Sequence, residues 1–203
     1  MAHRHLTGVL LVGGESRRFG SPKALAQIGD ETLAENAWRV LDQACAERIA
    51  VGKRGELELP FDVVDDGTEL RAPLAGVVAG LRAATNEVAV FLPVDAPLIT
   101  ATIIRALGAA CRDAAMPAAS PAPYAIHKRA LPVLEQRLVG SDLSLRGALR
   151  GLDTVTLAID PELLADADTP EELSQLRAST RSRSAPVPTS VTGTSSARST
   201  NST

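Results

Sequence analysis

Aromatic residues are nearly missing from this chain: three Phe, one Tyr and one Trp make up 2% of its 203 residues. The core must therefore be aliphatic, built from Ala, Leu and Val. A surface of stacked rings, as many single-strand nucleic-acid binders use, is excluded. Surplus charge is missing too. Lys and Arg number 21 against 24 Asp and Glu, for a formal net charge of −3. Nothing attracts a polyanion in general and no nucleic-acid partner is expected, which leaves room only for a local basic pocket. Cysteine is sparse. Cys45 and Cys111 fall in segments that look helical, with no local metal-ligand or redox spacing. They are expected to be buried small apolar residues in a reducing compartment. No run of roughly 18 apolar residues occurs, so no membrane span is expected. The start Met-Ala-His-Arg-His-Leu-Thr-Gly lacks a secretory pattern, and a cytoplasmic location is the expectation.

What is present is an apolar fraction of 45%, enough for one domain of ordinary size. Thr7 to Val12 is a short apolar strand that runs directly into two glycines. Leu33, Ala37, Val40, Leu41 and Ala44 recur at helical spacing, which predicts a helix from Glu31 to about Glu47. Ile49 to Val51 and Phe61 to Val64 are strand candidates, the latter ending at Asp65-Asp66-Gly67. Pro73 to Ala84 is helical in pattern, and Gly76 and Gly80 allow close approach to whatever it packs on. Val88 to Leu92 is almost wholly apolar, as a central strand covered on both faces should be. Ile99 to Cys111 is a helix with Thr100 or Thr102 near its start. Met116 to Ala119 is a short strand, Lys128 to Leu138 and Leu143 to Arg150 are helices, and Val155 to Ile159 is a strand. Thr169-Pro170-Glu171-Glu172-Leu173 is a helix start with a capping threonine, a proline at the first position and a glutamate that completes a capping box. From Ala178 to Thr203 the composition turns to Ser, Thr, Pro and Arg and predicts a disordered tail behind a domain at 1–177. Repeated β-then-α units imply an α/β fold whose central sheet is mostly parallel, with helices on both faces.

Ligands of such sheets bind beyond the carboxyl ends of the strands. Three loops collect unusual residues there: Gly13 to Lys23, Asp65 to Gly76, and Pro93 to Pro97. The first is neither Gly-x-Gly-x-x-Gly nor a Walker A loop, since Gly20 is followed by Ser21-Pro22-Lys23. Paired Gly13 and Gly14 nevertheless leave backbone amides open to an anion, Ser16 adds a donor, and Arg17, Arg18 and Lys23 add positive charge. A triphosphate needs this combination. A merely solvated turn would not call for two glycines directly after a buried strand, although Arg18 alone is as consistent with facing solvent.

Asp95 lies between Pro93 and Pro97 at the end of the most apolar strand. A carboxylate held there suits Mg2+, which prefers oxygen ligands and bridges protein carboxylates to substrate phosphates. A capping or turn aspartate is the plainer alternative. Asp65 and Asp66 could meet a ribose, a base or an acceptor, or could simply turn the chain before Gly67. Asp168 precedes the last capped helix and is a second candidate metal ligand. His127 has no metal-ligand partner nearby in sequence, and no Ser/His/Asp or Cys/His nucleophile arrangement is present.

Along Leu11-Val12-Gly13-Gly14-x-Ser16-Arg17-x-x-Gly20-x-x-Lys23 the chain resembles the molybdenum cofactor guanylyltransferase family and its broader nucleoside-triphosphate transferase relatives. The likeness continues through Pro73-Leu74-Ala75-Gly76, Leu92-Pro93-Val94-Asp95-Ala96-Pro97-Leu98 and Thr169-Pro170-Glu171-Glu172-Leu173, covering about Thr7 to Leu176. The resemblance implies a Rossmann-like nucleotidyltransferase fold and transfer of GMP from GTP to molybdopterin with release of pyrophosphate. It implies that Leu11, Gly13 and Gly14 contact the nucleotide, Arg17 and Lys23 its phosphates, Asp66 the nucleotide region and Asp95 the magnesium. The segment ending at Gly76 would shape the nucleoside pocket. The chain departs from the family pattern at Gly52, where an Asn is frequent, at Ala72, where a Gly commonly precedes Pro73, and at Asp168, where an Asn is common. These positions bear on base and acceptor choice. Transfer of CMP to a pterin, transfer to a sugar phosphate or other small acceptor, and nucleotide binding without catalysis are the competing expectations. The enzyme readings require Lys23 and Asp95 to reach one nucleotide–metal complex, so placement on opposite faces of the sheet would end them.

Overall fold

Successive strand residues serve opposite faces of a sheet. The computed structural model describes residues 5–13, 22–55, 57–68, 72–120, 122–140, 143–167, 169, 171–173, 175 and 176. In it the first strand, β1 (Leu6–Leu11), sends Leu6 and Leu10 to one side and Val9 and Leu11 to the other. A short hairpin of β2 (Gln27–Ile28) and β3 (Glu31–Thr32) follows. Next comes α1 (Leu33–Ala44), which opens on a capping box: the Thr32 hydroxyl accepts from the Glu35 N–H, and the Glu35 carboxylate accepts from the Thr32 N–H. The predicted helix start at Glu31 is therefore two residues early, because Glu31 and Thr32 pair with the hairpin instead.

The chain continues as β4 (Glu47–Gly52), β5 (Val63–Asp65), α2 (Pro73–Ala83), β6 (Val88–Pro93), α3 (Ala101–Ala110), β7 (Ala114–Pro117), β8 (Tyr124–His127), α4 (Leu131–Val139), α5 (Leu145–Arg150) and β9 (Thr154–Leu157). Seven strands form one sheet in the order β5-β4-β1-β6-β8-β7-β9. The β5-β4-β1-β6 half is parallel, β8 runs antiparallel to both β6 and β7, and β9 is parallel to β7. The expected α/β architecture with helices on both faces is present, with a mixed sheet. Helices α1 and α3 cover one face and α2, α4 and α5 the other.

The sequence reading did not anticipate β8. Its residues lead directly into Lys128–Ala130, a single 3-10 turn, and the predicted helix proper begins at Leu131. The core is aliphatic as expected, apart from Phe91 stacked on Tyr124 with ring centroids 5.3 Å apart. Cys45 and Cys111 sit one residue beyond α1 and α3 and are half-buried, not sealed in the core. Burial pushes the Cys45 thiol up to about 12 and the Cys111 thiol to about 11, which keeps both protonated and unreactive. At the carboxyl end Thr169 and Glu172 form the expected reciprocal cap, each N–H bonding the other's side chain at 3.1 Å, and Leu173 packs on Leu33 and Ala167. The expected tail at 178–203 lies outside the described residues, as does Pro170. Among the described residues no helix is long and apolar enough to cross a membrane.

The edge of the sheet where β1, β4 and β6 begin carries a polar knot. Glu47 Oε2 accepts from the hydroxyl of fully buried Thr7, and from the Thr85 N–H and hydroxyl, each at 2.9 Å, while the Asn86 amide donates to Thr7. Burial alone would raise the Glu47 carboxyl, but the Thr7 and Thr85 bonds and the charge of Lys128 outweigh it and hold the group below its ordinary 4.5. A depressed folded-state value means that the knot stabilises fully above 4.5 and is lost as pH falls through the lower folded value. Urea midpoints measured against pH should therefore drop more steeply below 4.5 for the wild type than for Glu47→Gln, which cannot titrate. Equal slopes would assign the acid sensitivity to other carboxylates.

Candidate functional site

Strands β1, β4 and β6 end at the same edge, because Leu11 pairs with both Val51 and Pro93. Beyond β6 the chain turns through Val94 and Asp95, and two anchors fix that turn. The Asp95 carbonyl accepts from the Ala167 N–H at 2.9 Å, and the Pro97 carbonyl accepts from Asn36 Nδ2 at 3.2 Å. Val94 and Ala96 are buried beside Asp95, whose own carboxylate keeps about a third of its surface in solvent, at 32%.

Lys23 comes from a different part of the chain. After Pro22 it opens a 3-10 turn closed by Leu25 N–H to Pro22 O and Ala26 N–H to Lys23 O. Buried Ala24 and the bond from Leu33 N–H to Ala26 O fasten this turn to the start of α1. The result places Lys23 Nζ 3.4 Å from Asp95 Oδ2, with the lysine side chain 16% exposed. The two residues therefore lie on one side of the sheet edge, 72 positions apart in sequence.

The neighbouring strand ends make a second polar group. A Cβ on Gly52 would lie 2.8 Å from Val12 Cγ2 and 3.3 Å from the Gly13 nitrogen, so β4 must end in glycine for the β1 turn to approach. The frequent family Asn has no room at this position, and the first side chain beyond β4 is that of Lys53. Its ammonium bonds Asp66 Oδ1 at 2.6 Å and also the Thr68 carbonyl. Asp66 further accepts from the Thr68 N–H at 3.2 Å and is only 11% exposed. Asp65 instead faces outward, accepting from the Arg54 and Gly67 N–H groups, which hold its carboxyl below the usual range. Gly76 lies over Leu11, whose Cδ2 would be 3.2 Å from an added Cβ. Ala72, the other departure, adopts φ −126°, which any residue tolerates, so the backbone does not require glycine there.

Lys23 and Asp95 are thus brought together, with Gly13, Asp66 and the Leu11–Gly76 contact at the adjoining strand ends. Gly14, Ser16, Arg17, Arg18 and Asp168 lie outside the described residues. Two participants escaped the sequence reading. Lys53 carried no motif, and Asn36 sits among the apolar positions of α1, where its polarity was the only available signal.

An α/β sheet with this strand order, at whose edge Lys23 and Asp95 meet, has the Rossmann-like nucleotidyltransferase fold. The profile of the MobA-like NTP transferase domain matches residues 8–158, and the chain belongs to that family. It is 41% identical over 113 residues to a probable molybdenum cofactor guanylyltransferase of Opitutus terrae, covering 53% of this chain and 56% of that one. The chain thus spans about half the length of the first curated relatives it matches. A molybdenum cofactor guanylyltransferase of Desulfosudis oleivorans is 26% identical over 191 residues, 85% of this chain and 95% of its own. Among solved structures, molybdopterin-guanine dinucleotide biosynthesis protein A of Archaeoglobus fulgidus shares the fold with a TM-score of 0.73 at 20% identity, over 87% of this chain and 99% of that one. The 2-C-methyl-D-erythritol 4-phosphate cytidylyltransferase of Thermus thermophilus shares it with a TM-score of 0.67 at 20% identity, over 86% and 98%.

Proposed function

We propose that this protein is a magnesium-dependent nucleotidyltransferase that moves GMP from GTP to molybdopterin and releases pyrophosphate. The observation that carries the reading is the Lys23–Asp95 pair at the edge where β1 and β6 end. In the reaction a phosphate oxygen of the acceptor attacks the α-phosphorus of the triphosphate. A new P–O bond forms, the bond to the bridging α,β oxygen breaks, and pyrophosphate leaves with the electron pair. No protein nucleophile is required, in keeping with the missing triad. Lys23 neutralises charge that grows on the phosphates, helped by Arg17 and by the amides of Gly13 and Gly14, with Ser16 as a further donor. Leu11, Gly76 and Asp66 line the nucleoside side.

Magnesium suits the donors present. It keeps several waters and takes only one or two protein carboxylates beside substrate phosphates, so a single partly exposed carboxylate is an adequate protein ligand. Asp95 is that ligand, and Asp168 is proposed as the second because Ala167, its neighbour in sequence, is bonded to the Asp95 carbonyl. When bound, the ion would screen the triphosphate and polarise its phosphorus–oxygen bonds. Lys23 then exchanges its contact with Asp95 for the phosphates.

Similarity in fold to a cytidylyltransferase favours a second reading, transfer of CMP to a pterin or another small phosphate acceptor. Calorimetric titration with GTP and CTP in magnesium separates the two. The guanylyl reading expects GTP to bind at least about tenfold more tightly, the value of one well-made polar contact to a base edge. Pyrophosphate release with molybdopterin should follow the same order. Tight binding without pyrophosphate release for any acceptor would leave a nucleotide-binding protein that does not catalyse.

A further inference from the structure

The buried polar residues among those described are Thr7, which has no exposed surface, and Asn36, which keeps 8% of its own. Thr7 belongs to the Glu47 knot, at the edge away from the candidate site. Asn36 lies on the apolar side of α1 between Leu33 and Ala37, a place where an unpaired amide would be costly. Its orientation follows from its partners. Arg39 can only donate, so Asn36 Oδ1 must face the guanidinium, 2.7 Å away, and Nδ2 is left to donate to the Pro97 carbonyl at 3.2 Å. Arg39 in turn forks onto Glu31, with contacts of 2.7 to 3.3 Å. A continuous polar chain, Glu31–Arg39–Asn36–Pro97, therefore joins the hairpin that follows Lys23 to the turn that carries Asp95.

Among the described residues that turn has few other anchors. The Ala167 N–H holds its Asp95 carbonyl, and Ile99 N–H reaches the Ala96 carbonyl only at 3.4 Å. We propose that Asn36 is a positioning residue: by gripping the Pro97 carbonyl it fixes the turn so that the Asp95 carboxylate meets Lys23. The inference rests on the reading of Asp95 as the metal-side carboxylate. It makes α1 the common platform for both charged groups, since the Lys23 turn is tied to the same helix start through Leu33.

Asn36→Asp is the discriminating variant. It keeps the volume and an acceptor for Arg39, loses the donor, and sets a carboxylate oxygen against the Pro97 carbonyl. Asn36→Ala removes both functions with less charge and serves if the first folds poorly. Amide exchange by NMR reads the turn without any ligand. The Ala167 N–H should exchange about tenfold faster in both variants, as expected for one lost buried hydrogen bond, with the amides of β6 unchanged. The magnesium concentration that half-saturates pyrophosphate release should rise several-fold, while turnover at saturating magnesium changes less. Wild-type protection of Ala167 in Asn36→Asp, a rise shared equally by β6, or an unchanged magnesium dependence would overturn the proposal. Asp95→Asn separates the two levels. If it leaves turnover intact, the functional reading itself fails. If it abolishes turnover while the Asn36 variants behave as wild type, only the positioning role is lost.

Discussion

Asp95→Asn should slow pyrophosphate release by about a hundredfold to a thousandfold, the range seen when one aligned electrostatic group is removed from a phosphoryl- or acyl-transfer site. The substitution keeps the shape and one oxygen acceptor, so the turn between Pro93 and Pro97 should survive, with Ala167 still bonded to the residue 95 carbonyl. What disappears is the negative charge of the proposed magnesium ligand, which faces Lys23 across 3.4 Å. Lys23→Met should cost a comparable factor by removing the positive partner while leaving the buried stem in place. On the proposed reading both groups act on one triphosphate, so the double variant should lose much less than the product of the two single effects. Single-turnover assays at saturating GTP separate this from weakened binding. A rate within threefold of wild type for either single variant would remove that residue from the proposed machinery.

The centre of the parallel half was legible because β1 and β6 are six-residue, largely buried apolar strands and α1 and α2 carry clear apolar faces. Val88 to Leu92 could hardly be anything but a central strand, and it lies between β1 and β8. The other half was harder for a physical reason. Tyr124–His127 is only four residues long, pairs antiparallel on two sides, and has no turn signal between it and Lys128, so nothing local separates strand from helix onset. The candidate site shows the same division. Lys23 and Asp95 were singled out one by one from local chemistry, the first in the loop that follows β1 and the second just past β6, although their contact spans 72 positions. Asn36 was missed because its partner carbonyl lies 61 residues away, and a lone Asn on a helix gives no hint of such a bond. Lys53 was missed because its meeting with Asp66 depends on the register that pairs Gly52 with Asp65. Residue chemistry is local in sequence, whereas the pairing that makes it useful is set by sheet register.

Phe91→Ala should destabilise the protein by about 3–5 kcal/mol, a large share of the roughly 5–15 kcal/mol that holds a domain folded. Phe91 is wholly buried on the central strand, opposite Tyr124 in the β6–β8 register and stacked on it with an interplanar angle of 15°. Truncation leaves a cavity that the sheet cannot close, since both neighbouring strands are fixed by their ladders. The urea midpoint should fall while the slope stays constant, because the surface exposed on unfolding hardly changes. The same ring explains Gly80 on α2, where an added Cβ would come within 2.9 Å of Phe91 Cε1 and 2.8 Å of Val9 Cγ1. Gly80→Ala is therefore an overpacking change expected to cost about 1–3 kcal/mol. In the double variant the new methyl can lean into the volume the ring has vacated, although Val9 still blocks part of its path. The combined loss should fall short of the sum by at least about 0.5 kcal/mol, the coupling expected of residues sharing one gap. Strict additivity would mean that α2 is held off the sheet by Val9 alone, and that Phe91 has no part in the close approach that this glycine permits.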